Sequence, residues 1–177
     1  MTGNAPTDEG AFRGWLEANA APALKNVGLR RGQVVLDYGC GRGTFSIPAA
    51  RTVGPGGIVH ALDTDASALA ELGRRAEDEA LGNIRTARVD GETSPDELLP
   101  EQADVILLYD VIHLVDDKHR VVRELAGALK PGGVLSVFPM HVGIDGMLEL
   151  ARDAGALSLR DRQGMLLNFT RTDADDA

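Results

Sequence analysis

The segment Asp37-Tyr38-Gly39-Cys40-Gly41-Arg42-Gly43 sets one carboxylate ahead of three glycines at alternate positions. Glycine lacks a Cβ and accepts positive φ, so such a loop folds tightly and brings backbone close to a ligand. A nicotinamide dinucleotide site uses a related loop, but its glycines run G-x-G-x-x-G, and Thr44 stands where the third would fall. Asp37 would also repel a pyrophosphate, whereas it attracts a cationic amine. Other groups suited to chemistry are the carboxylates of Asp63, Asp90 and Asp110, the phenol of Tyr109, and the imidazoles of His113 and His141. Carboxylates accept hydrogen bonds and cannot donate them when ionised. The two histidines are the available general bases, unless they are packed or solvent-facing. Four histidines and the single cysteine Cys40 show no metal-ligand spacing, so no metal is expected.

These residues need elements that hold them at one edge, and the sequence supplies a regular alternation. Gln33 to Tyr38 and Ile58 to Leu62 are short apolar runs rich in β-branched residues, as in buried strands. Between them a helix from near Gly43 to about Val53 must start late or kink, because Pro48 fits only a first turn. Asp65 to Leu81 keeps apolar residues at helical spacing (Leu69, Leu72, Ala76, Ala80), with Asp65 or Thr64 as cap. Ile84 to Val89 alternates like an edge strand, and Val105 to Tyr109 is unbroken like a central one. Asp116 to Lys130 reads as a helix burying Val121, Val122, Leu125 and Leu129, stopped by Pro131-Gly132-Gly133. Val134 to Phe138 is a fifth strand, and Ile144 to Ala154 is a helix ending at Gly155. Leu157 to Asp161 and Met165 to Thr170 flank a turn at Gln163-Gly164, too short for anything but an antiparallel pair.

Strands alternating with helices give an α/β three-layer sandwich with right-handed crossovers. In that architecture ligands sit beyond the carboxyl ends of the strands. The rule selects Asp37 to Gly43, Asp63 with Thr64, Asp90 with Gly91, Tyr109 to His113, and Pro139 to His141. Each residue also has a plainer reading: Asp37 could cap the following turn, and Asp63 could start its helix. Asp116 and Asp117 read as a helix start.

The run VVLDYGCGRGTFSIPAA resembles the first motif of the class I S-adenosylmethionine-dependent methyltransferases, and ALDTD, RVDGE, ADVILLYDVIHLVDD and ELAGALKPGGVLSV continue the likeness. It covers roughly residues 30 to 140 and is nearest to the small-molecule branch that includes quinone-biosynthesis methyltransferases. The resemblance implies a Rossmann-like, seven-stranded, mostly parallel sheet with the last strand antiparallel, and S-adenosyl-L-methionine as cofactor. It implies that Asp37 and the loop Gly39, Cys40, Gly41, Gly43 hold the methionyl part. Asp63, with Thr64 beside it, would accept from both ribose hydroxyls. Asp90, with Gly91, would accept from the adenine amino group, and Tyr109 and Asp110 would lie near the sulfur. An oxidoreductase, and a cofactor-binding subunit without turnover, are the rival functions.

With 177 residues, one domain spanning residues 1–172 is expected, closed by an acidic tail at 173–177 without fixed structure. The first 32 residues are expected to form a helical segment in which Phe12, Trp15 and Leu16 would be a minimal lid or would pack against the sheet. A net charge of −9 argues against a nucleic-acid partner and leaves a small-molecule acceptor. The lack of a long apolar run argues against a membrane, and the lone cysteine makes a cytoplasmic setting the expectation. Nothing in the sequence fixes the oligomeric state.

Overall fold

The computed structural model describes residues 6–90 and 94–172. Gly91 and the tail at 173–177, both singled out from the sequence, lie outside the described residues. The elements are α1 Glu9–Ala18, α2 Ala20–Val27, β1 Val34–Tyr38, α3 Ser46–Val53, β2 Ile58–Asp63, α4 Ala66–Asp78 and β3 Ile84–Arg88. They continue with α5 Pro95–Leu98, β4 Ala103–Tyr109, a 3₁₀ turn Ile112–Leu114, α6 Lys118–Ala128, β5 Leu129–Phe138, α7 Gly143–Ala154, β6 Leu157–Gln163 and β7 Leu166–Arg171.

The seven strands form one sheet in the order β3-β2-β1-β4-β5-β7-β6. The first five strands pair in parallel, and β7 pairs antiparallel with both β5 and β6. The chain reverses its direction of travel across the sheet between β1 and β4, the switch point at which such sheets bind ligands.

Local chemistry explains the boundaries. Pro48 is the third residue of α3, where its missing N–H costs nothing. Asp65 caps α4 by accepting from the backbone N–H groups of Ser67 and Ala68, at 2.8 and 3.2 Å. Asp117 caps α6 through Arg120 N–H at 2.9 Å. Two helix ends differ from expectation in a way that moves a named residue. Helix α4 ends at Asp78, and Ala80 instead takes a left-handed turn at φ +54°. Helix α6 ends at Ala128, and Leu129 pairs with Ala103 as the first residue of β5. Leu129 is buried as anticipated, but by the sheet rather than on a helix face. The N-terminal segment is two helices broken at Asn19, whose side-chain amide donates to the Trp15 carbonyl at 2.8 Å.

Alternation along the strands divides the core into two faces. Val35, Val105, Leu107 and Phe138 pack against Phe12, Leu16, Leu24 and Ala49 of the first three helices. Leu36, Ile106, Leu108 and Leu135 pack on the other side against Val122, Leu125 and Met147 of α6 and α7. Each fully buried side chain of this size contributes about 1.5–3 kcal/mol. The two chain ends also meet. Arg160 donates to the Val27 carbonyl at 3.0 Å, Gln163 donates to the Asn26 carbonyl at 3.3 Å, and the Phe12 and Phe138 rings lie 5.2 Å apart.

Candidate active site

The loop after β1 is stitched to the end of β2. The N–H groups of Gly39 and Cys40 both donate to the Leu62 carbonyl, at 2.8 and 3.0 Å. The Gly41 N–H donates to Asp63 Oδ2 at 2.7 Å, while Asp63 Oδ1 accepts from Asp65 N–H at 2.9 Å. Asp63 therefore has a fixed orientation, and each oxygen keeps a further lone pair for a ligand. Two of the glycines are needed for space as well as for positive φ. A Cβ on Gly39 would lie 2.5 Å from the Val111 side chain, and one on Gly43 would run into Leu72. At Gly41 the corresponding position is open.

Asp37 sits beneath this loop, 2% exposed, and accepts from the Ser46 hydroxyl at 2.5 Å. Burial pushes its carboxyl up from 3.8 to about 6, and the charge of Asp63 adds to the rise while the Ser46 hydrogen bonds oppose it. Cys40 is also buried, and burial, with Asp37 and Asp63 nearby, pushes its thiol well above the ordinary value. It is a neutral packing residue rather than a nucleophile.

The loops after β1, β2, β3 and β4 enclose a cavity of about 920 Å³, a volume typical of small-molecule sites. Gly39, Asp63, Thr64, Asp90 and Asp110 line it, so the fold gathers five of the expected residues around one space. Asp37, Cys40, Gly41, Gly43 and Tyr109 do not line it. Tyr109 is buried on the opposite face of the sheet, with its hydroxyl 2.8 Å from Ser136 Oγ and its ring edge-on to Phe45 at 4.7 Å. Burial pushes that phenol well up, so it stays neutral. Asp116 and Asp117, anticipated only as a helix start, line the cavity together with Arg120 and the exposed Leu114.

Asp110 joins this cavity to a second group. His113 Nδ1 lies 3.8 Å from Asp110 Oδ1, and the rings of His113 and His141 meet edge-on at 4.8 Å. Helix α1 reaches this group at two points. Arg13 Nη1 is 3.2 Å from Asp110 Oδ2, and the Glu9 carboxylate accepts from the His141 backbone N–H at 3.3 Å. The sequence reading missed Glu9, Arg13 and Ser46. The spacing of Glu9 and Arg13, four apart, puts them on one face of α1 and was the available signal. Ser46 carries no such mark.

S-adenosylmethionine fits these residues. The oriented Asp63 carboxylate faces a cavity of adequate size, Gly41 beside it has open space where a Cβ would stand, and the surrounding carboxylates suit a ligand that carries a sulfonium and an ammonium.

Comparison with known proteins agrees with the geometry. Residues 36–135 match the methyltransferase domain family. The ubiquinone/menaquinone biosynthesis C-methyltransferase UbiE of Escherichia coli is 32% identical over 143 residues, 79% of this chain. The chain spans about half the length of that relative, 55%. Among solved structures, a SAM dependent methyltransferase from Aquifex aeolicus superposes with a TM-score of 0.70 at 18% identity, covering 94% of this chain and 98% of that one. The [4+2]-cyclase SpnF superposes at 0.69 and 21% identity, covering 82% and 58%. Likenesses at that identity report the fold, and the family match reports descent; by that match the chain belongs to the class I S-adenosylmethionine-dependent methyltransferases.

Proposed function

We propose that this protein methylates a small-molecule acceptor held over the ends of β4 and β5, with His113 or His141 as the base that takes the acceptor's proton. The observation that carries this reading is Asp110, which lines the cofactor cavity on one side and faces the histidine pair on the other. When bound, the cofactor supplies an electrophilic methyl group on its sulfonium. Asp63 and Thr64 hold the ribose, Asp90 with Gly91 the adenine, and the loop from Gly39 to Gly43 the methionyl end. Asp37 acts from below that loop as a buried negative charge.

On the acceptor side the protein's task is placement and proton removal. Orienting two reactants supplies much of the acceleration of a displacement. A base contributes typically about 10²–10⁴ in rate. An acceptor proton passed to His113 leaves an imidazolium that Asp110 stabilises across 3.8 Å. Helix α1, through Glu9 and Arg13, ties the loops after β4 and β5 to one element.

A net charge of −9 is the argument against a nucleic-acid acceptor. Val111, Leu114 and Val115 add apolar surface to the cavity, which suits an acceptor with an aromatic or quinol-like body. The name of the Escherichia coli relative makes quinols the first acceptors to try.

The test is transfer of labelled methyl from S-adenosylmethionine across a panel of quinols, phenols and amines. Labelled product from any of them, lost with His113→Ala or His141→Ala, supports the reading. Cofactor binding without transfer to any acceptor would favour a cofactor-binding subunit activated by a partner.

A further inference from the structure

His113 Nδ1 is buried and has no hydrogen-bond partner among the described residues. Its nearest carboxylate oxygen, on Asp110, stands at 3.8 Å, beyond hydrogen-bond range. His141 enters from the loop after β5, with its ring 4.8 Å from that of His113. One ligand atom from each of Asp110, His113 and His141 lies within 4.8 Å of the other two. Nothing in the spacing along the chain announced this cluster, because His141 is 28 positions beyond His113 and on a different strand end.

Two imidazoles and one carboxylate form a donor set for a divalent transition-metal cation rather than for magnesium or calcium, which prefer oxygen alone. We propose that Asp110, His113 and His141 bind one such cation, with Zn²⁺ as its representative, and leave a coordination position open. Zinc bonds of about 2.0–2.2 Å in tetrahedral geometry require ligand atoms roughly 3.4 Å apart. The present separations, up to 4.8 Å, must shorten on binding: His141 is exposed and free to turn, and His113 and Asp110 must draw together from 3.8 Å. Asp110 and His141 both hold left-handed backbone, at φ +56° and +62°, which for non-glycine residues persists where the surroundings enforce it.

The surroundings of the cluster suit a dication. Glu9 lies 3.8 Å from His141 Nδ1, an outer carboxylate of the kind that orients ligating histidines. Arg13, on the other oxygen of Asp110, opposes a cation, but its side chain is half exposed and its charge is screened by solvent. With neutral imidazoles, the three charged groups around the cluster sum to one negative charge: Asp110 and Glu9 against Arg13. Occupation withdraws the imidazole lone pairs that proton removal would use, so the cation inhibits that step.

The site is testable without cofactor or acceptor, which separates it from the methyl-transfer reading. Chelator-treated full-length protein is titrated with zinc chloride by calorimetry. One equivalent is expected to bind, and His113→Ala and His141→Ala are each expected to weaken binding by more than about tenfold, the lower limit even for outer-shell partners. His119→Ala is the control, because His119 pairs with Asp153 at 3.3 Å outside the cluster and should bind zinc as the wild type does. His141 is exposed on a loop, so that variant keeps its fold, and its melting temperature verifies this. Absence of stoichiometric binding, or wild-type affinity in either cluster variant, overturns the proposal.

Discussion

Replacing Asp37 by asparagine is expected to stabilise the protein above neutral pH and to have little effect in acid. The folded-state carboxyl is raised from 3.8 to about 6 because it is buried. Between those values the folded protein holds a proton that the unfolded chain has released, so stability falls as pH rises through the window. Each pH unit between the two values is worth 1.36 kcal/mol, so the gap of a little over two amounts to about 3 kcal/mol, fully lost above pH ~7. Asparagine has the same outline, and its carbonyl oxygen can still accept from Ser46, but it carries no charge at any pH. Urea unfolding of both proteins at about pH 4 and about pH 8 should show near equality in acid and a variant more stable by about 3 kcal/mol in base. Parallel curves for the two proteins across this range, or a variant that is less stable in base, would refute the argument. A second readout follows from the same charge. A cationic ligand brought over the loop favours the ionised carboxylate, so cofactor binding near pH 6 should release protons, measurable by calorimetry in buffers of different ionisation enthalpy.

Asp63→Ala is expected to weaken S-adenosylmethionine and S-adenosylhomocysteine binding by about 1–3 kcal/mol, since ribose hydroxyls and the Gly41 N–H both lose an acceptor. Unchanged affinity in calorimetry would show that the ribose lies elsewhere. Cys40→Ser should leave cofactor affinity nearly unaltered, and so should a chelator, because the loop needs backbone geometry at residue 40 and the cofactor needs no cation. His113→Ala and His141→Ala should keep cofactor affinity while one or both lower turnover by about 10²–10⁴ on a confirmed acceptor. Normal turnover in both variants would mean that the enzyme works by placement alone.

Most of the sheet was legible in the sequence because strands buried on both faces are short apolar runs between glycine and proline punctuation. Val105 to Tyr109 is the clearest case. The end of α6 was not, since Leu129 reads equally well as the next residue of an apolar helix face and as the start of a strand. Its pairing with Ala103, 26 residues earlier, decides the matter, and no local pattern records it. The same limit applies at the site. Position at strand ends was enough to find Asp63, Asp90 and Asp110, which do share one cavity. It could not tell that Tyr109 points to the opposite face, although alternation with Asp110 allowed that reading. Nor could it place Glu9 beside His141, a contact that spans 132 positions.

The meeting of the two chain ends sets an order of events during synthesis. The surface on which α1 settles includes Phe138 of β5 and Leu166 of β7, and the carbonyls that end α2 are held by Arg160 and Gln163 of β6. The first helices leave the ribosome before any of these exist, and they must wait for nearly the whole chain. Contacts of such long sequence separation form late and carry the largest loop-closure cost. Until the final hairpin adds its strands, the apolar face of Phe12 and Leu16 lacks Leu166, and the carbonyls at the end of α2 lack Arg160 and Gln163. A ribosome-stalled chain ending before residue 157 should therefore show the parallel strands protected from proteolysis and the first thirty residues cut.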